Sequence, residues 1–242
     1  MLAAAIIASY TAYLRSSYCV LVSRVLFLWD FLITMGYEVE YFWGRKITAA
    51  SALFLLNRYV SLVITIMQFF SPAFFQTAHV CGPFVRVLQS LLVLSLVIAG
   101  AFAAIRVYAI WQRSWSLALP VFMLAMVPPA LTIAIDANET PMLAPSPSSG
   151  CAIVVAIPPA QYTTYANAMR ACTIAYDAIV FALTVLRTRQ LERRSQAQTS
   201  LVRLIIRDGC LYFMCLVLIN ISQMVITFTS EDINYPSYFV SP

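Results

Sequence analysis

Three charged side chains, Asp30, Arg58 and Asp177, fall inside otherwise apolar stretches. An unpaired charge near the bilayer centre costs at least about 2.5–3.5 kcal/mol, so each of them demands a partner. Arg58 shares a helix-spaced stripe with Ser51, Ser61, Thr65 and Gln68, and Asp177 shares one with Arg170, Thr173 and Thr184. Counted from one end of their stretches, Arg58 and Asp177 both lie eleven residues deep, with Asp30 about a turn shallower. Two readings follow. Arg58 and an aspartate form a structural salt bridge with supporting hydrogen bonds, or these groups line a polar cavity or relay.

Other chemistry is sparse. The chain has six cysteines, a single histidine (His79) and no C-x-x-C pair, so no metal centre is expected. There is no G-x-S-x-G and no Gly-rich phosphate loop, hence no catalytic residue and no cofactor are assigned. Glu38 and Glu40, beside Arg45 and Lys46, read as an interfacial charge cluster. Cys81 and Cys151 are a candidate disulfide, with two free thiols as the alternative. Cys19, Cys172, Cys210 and Cys215 read as apolar packers. Asn138-Glu139-Thr140 is a candidate glycosylation sequon, weakened by Pro141 and the nearby membrane.

The elements that must position these groups are helices in lipid. The chain is 62% hydrophobic and 10% charged, against about 25% charged in soluble domains, so polar groups cannot cover a compact surface. About 20 apolar residues span a membrane. Six stretches qualify, at 18–36, 47–70, 84–110, 116–135, 166–188 and 209–229, which predicts an all-α transmembrane bundle. The connections 37–46, 71–83, 111–115, 136–165 and 189–208 read as loops, the fourth of them Pro- and Ser-rich and irregular. Residues 1–14 read as an extension of the first helix, with a cleaved signal peptide as the alternative. Pro120, Pro128 and Pro129 kink the fourth span, and small residues around Gly100 and Ala104 permit close packing of the third.

Arginine sets the orientation. Arg45, Lys46, Arg106, Arg113, Arg187, Arg189, Arg193, Arg194, Arg203 and Arg207 cluster on one side, which becomes cytoplasmic and leaves the amino terminus outside. Arg24 fits least well and either snorkels outward or marks a later span start. The net charge of +5 is therefore topology, not a nucleic-acid surface.

The run from Asp30 to Tyr59 contains Glu38-Val39-Glu40-Tyr41-Phe42-Trp43-Gly44-Arg45-Lys46 and Leu53-Phe54-Leu55-Leu56-Asn57-Arg58-Tyr59. Weaker echoes follow at Ile105-Arg106-Val107-Tyr108-Ala109, and at Arg207-Asp208-Gly209 before Tyr212-Phe213. Over about 18–65 this resembles the amino-terminal signature of the fungal domain-of-unknown-function family 6533, multi-pass proteins abundant in mushroom-forming fungi. The resemblance implies a seven-helix layout of unestablished function. The polar residues 230–242 depart from it, as though the seventh helix were truncated.

By analogy with seven-helix receptors, the expected function is a receptor- or sensor-like bundle. It would bind a small molecule among its helices and a cytoplasmic protein at 189–208. A transporter or channel using Arg58 and Asp177 is one alternative, and a scaffold or non-functional truncated product is another. An enzyme is not expected.

Overall fold

In hydrocarbon every backbone N–H and C=O needs an internal partner, and a helix supplies one within its own segment. The computed structural model describes residues 2–44, 48–69, 78–143 and 151–194, together with 218 and 222. Apart from one β-hairpin, the elements among these residues are helices. Five are long and apolar enough to cross a membrane: Ser17–Tyr41, Ala49–Phe69, His79–Ile110, Trp115–Asp136 and Ala160–Arg187. The expected span at 209–229 lies outside the described residues, except for 218 and 222.

The chain divides into two compact units, residues 1–74 and 75–241. The first contains α1 (Leu2–Tyr41) and α2 (Ala49–Phe69). α1 is unbroken, so residues 2–14 extend the first helix, and it runs five residues past the predicted end at 36. Rungs at Arg24 with Gln68, Phe31 with Tyr59 and Phe42 with Phe54 make the pair antiparallel. The Phe42 and Phe54 rings stack with centroids 5.1 Å apart. Gly44, at φ +100°, takes the left-handed backbone that ends the last turn of α1.

The second unit holds α3 (Ala78–Ile110), α4 (Trp115–Ala125), α5 (Val127–Asp136), β1 (Glu139–Leu143), β2 (Cys151–Val155) and α6 (Pro159–Arg194). Its fourth crossing is two helices separated at Met126. Pro128 and Pro129 open α5, where a missing N–H is tolerated, but they cannot continue α4. α3 passes close to this break at Gly100. A Cβ there would lie 2.8 Å from Met126 Cε and 3.0 Å from Ala125 Cβ.

Val107 of α3, Val121 of α4 and Val180 of α6 form a buried core near the α3–α4 turn, with Trp111 and Leu183 packed on it. In that turn Gln112 (φ 51°) and Arg113 (φ 64°) are both left-handed, a strained pair for residues carrying a Cβ.

The expected irregular loop over 136–165 is instead largely a hairpin and the start of α6. Glu139 faces Val155 and Leu143 faces Cys151 in an antiparallel register. The hairpin packs on the first turns of α3, where Ile153 covers Cys81 and Val85 and Pro141 lies over Gly82.

Candidate functional site

In the first unit, helical periodicity brings Phe31, Thr34 and Glu38 of α1 onto one face. Arg58 and Tyr59 of α2 meet them there. Arg58 Nε lies 2.6 Å from Glu38 Oε2, with the two side chains 13% and 2% exposed. Arg58 also donates through Nη2 to the Phe31 carbonyl (2.9 Å) and to Thr34 Oγ1 (2.7 Å), and its guanidinium lies 4.4 Å from the Phe31 ring centroid. Glu38 Oε1 accepts from Tyr59 Oη (2.8 Å) and Trp43 Nε1 (3.2 Å). The ion pair is one contact through Nε, and Arg58 Nη2 and Glu38 Oε1 each carry two further hydrogen bonds, the kind of support a buried pair needs to offset its desolvation.

This corrects the expectation that Arg58 pairs with an aspartate. The partner is Glu38, because α1 stays helical to Tyr41 and so carries Glu38 on its inward face instead of in a loop. Asp30 lies off that face and is exposed. Asp177 is half-buried on α6 of the second unit and faces the positive charge of Arg106 on α3. Arg24 does not mark the start of the span, which begins at Ser17. Its Nη1 donates to the Gln68 carbonyl (3.1 Å), placing a cation on the negative end of α2.

The polar stripes have a local explanation. Thr65 bonds the Ser61 carbonyl (2.8 Å), Thr173 the Met169 carbonyl (2.9 Å) and Thr184 the Val180 carbonyl (2.7 Å). Each hydroxyl is thus satisfied one turn back on its own helix.

A second polar cluster sits under the hairpin. Arg86 of α3 donates to the carbonyls of Asp136 (2.5 Å) and Glu139 (2.6 Å) and to Gln89 Oε1 (3.1 Å), while Gln89 Nε2 donates to Glu139 Oε2 (2.6 Å). Burial, and then the Asp136 charge, hold the Glu139 carboxyl above the ordinary carboxylate range against the opposing pull of Gln89 and Arg86. Sequence reasoning missed this cluster, although Arg86 and Gln89 stand three residues apart, close enough to share one helix face.

Cys81 is 1% exposed and disulfide-bonded, whereas Cys19 and Cys172 are free. Cys151 opens β2. Asn138 is exposed, and its amide nitrogen donates to the Ala134 carbonyl (2.8 Å). Arg187 lies over the Trp111 ring (5.5 Å) and donates to the Ile110 carbonyl (3.4 Å), while Trp111 donates to the Leu183 carbonyl (3.3 Å). Arg189 is exposed, and Arg193 and Arg194 close α6. Arg203 and Arg207 lie outside the described residues. Among the described residues no three His, Cys, Asp or Glu side chains are grouped to hold a metal.

Five apolar helices define an integral multi-pass membrane protein. Residues 18–63, which carry the Glu38–Arg58 cluster, match the model of a family of unknown function, DUF6533. No curated protein and no solved structure matches the chain.

Proposed function

We propose that the protein is a receptor- or sensor-like helical bundle, non-enzymatic, whose amino terminus faces out of the cytoplasm. The observation that carries this reading is the commitment of Arg58. Its guanidinium is spent on Glu38, Thr34, a backbone carbonyl and an aromatic ring, all on α1. A charge so held clasps two helices; it is not poised to meet a passing ion. The Thr65 and Thr173 hydroxyls, bonded to their own helices, support the same reading, because a relay needs hydroxyls that are available across helices. In this reading the arginines that begin at Arg187 and Arg189 face a cytoplasmic protein partner.

Proteoliposomes test it directly. The full chain should give ion and solute flux no greater than empty vesicles. Saturable flux that Arg58→Gln abolishes would replace the sensor reading with a transporter.

A further inference from the structure

α3 and α4 enclose a groove of about 300 Å³ that the packed core leaves unfilled. Ala101 and Ala104 of α3 and Ala118 of α4 hollow it out, and Leu119, 51% exposed, forms an outer wall. Its lining is almost wholly apolar, and Tyr108 and Trp115, ring centroids 4.5 Å apart, close one end. The volume is at the lower limit of about 300–1,000 Å³ for small-molecule sites. Such a hollow on a membrane helix pair suits a hydrocarbon chain. Polar ligands would find almost nothing to bond.

The closed end is not apolar beyond the rings. The Arg113 backbone N–H bonds the Tyr108 carbonyl (2.9 Å), which sets this exposed residue in the turn that joins the two helices carrying the aromatic pair. Among the described residues Arg113 has no ion-pair partner, and the sequence contains no Asp or Glu between Glu40 and Asp136. Next to it the Ser114 and Ser116 hydroxyls share one hydrogen bond (2.8 Å), which leaves the second hydroxyl hydrogen to donate elsewhere. Trp and Tyr favour the headgroup layer. A cation and a hydroxyl donor at that level, above an apolar groove, match a phosphate ester attached to an acyl chain.

We propose that the α3–α4 groove holds one acyl chain of an anionic phospholipid whose headgroup phosphate is bound by Arg113. The site lies in the second unit alone and shares no residue with the Glu38–Arg58 clasp.

Native mass spectrometry of the full chain, released from nanodiscs of phosphatidylcholine mixed with phosphatidylserine, reads the retained lipid. Phosphatidylserine should be retained in preference to phosphatidylcholine. Arg113→Gln should weaken that retention about fivefold, which at 1.4 kcal/mol per tenfold is about 1 kcal/mol. Ala104→Phe, which fills the groove, should abolish it, and Leu119→Trp fills it from the exposed wall if Ala104→Phe does not fold. Equal retention of the two lipids, or retention untouched by Arg113→Gln and the groove-filling change, would overturn the proposal. So would a Leu119→Cys variant that cross-links into dimers carrying no lipid, since the groove would then belong to a second copy.

Discussion

At the scale of single residues, Glu38 and Arg58 are worth most as a pair. Removing one leaves the other charged and unpaired in a buried site, a loss of about 3–5 kcal/mol, whereas apolar replacement of both is often neutral. Glu38→Ala should therefore lower thermal stability in detergent sharply, and Glu38→Leu with Arg58→Leu should recover most of the loss. A double variant no better than the single one would show that Glu38 acts through Tyr59 and Trp43 instead. Sequence patterning identified Arg58 as a charge in need of a partner but missed the partner. Glu38, beside Arg45 and Lys46, has the composition of a loop, and only the added helical turns place it on the face that already holds Phe31 and Thr34.

Glu139 gives a pH dependence at the same scale. Its carboxyl is raised in the folded protein by burial and by Asp136, while Arg86 and Gln89 face it from α3 and Tyr162 from α6. A raised acid binds its proton more tightly when folded. Its stabilising contribution is therefore complete below the ordinary carboxylate range, about 4.3, and is lost as pH rises through the folded value. Melting followed between pH 4 and 7 should show the second unit weakening with rising pH. Glu139→Gln should flatten that slope, and an unchanged slope would assign it to another group.

At the scale of elements, Gly100 fixes how closely α3 approaches the end of α4. A side chain there meets Ala125 and Met126 within 3.0 Å, and overpacking of this kind costs about 1–3 kcal/mol. Gly100→Val should lower the melting temperature, with Met126→Ala partly restoring it; a Gly100→Val protein of wild-type stability would contradict the contact. Helix existence was plain in the sequence, and α2 lies within two residues of the predicted span because Arg45 and Lys46 before it and Ser71 and Pro72 after it bound the apolar run. The Pro- and Ser-rich composition of 136–165 concealed the hairpin. β-branched Ile153, Val154 and Val155 were the available strand signal, yet the hairpin's packing on α3 depends on contacts distant in sequence. The small-residue spacing on α3 was legible, but which helix it admits was not.

At the scale of the whole molecule, hydropathy sufficed to predict a membrane bundle, since the composition leaves few polar groups to face water. Five of the six predicted crossings correspond to helices, and their boundaries differ where helical turns continue into the interfacial layer, as at Glu38 and Cys81. Hydropathy averages over such turns and cannot place them.

The interruption at Met126 divides one crossing into two rods. Pro128 and Pro129 bring no amide hydrogen to the ladder, which crosses the break at Met126: its N–H donates to the Phe122 carbonyl (3.0 Å) and its own carbonyl accepts from Ala130 (3.2 Å). Bending there strains fewer backbone bonds than it would in an unbroken helix. The fourth crossing is thus a knuckle in the lipid, and tension on the hairpin that follows α5 would be relieved at that joint before reaching the α3–α4 turn.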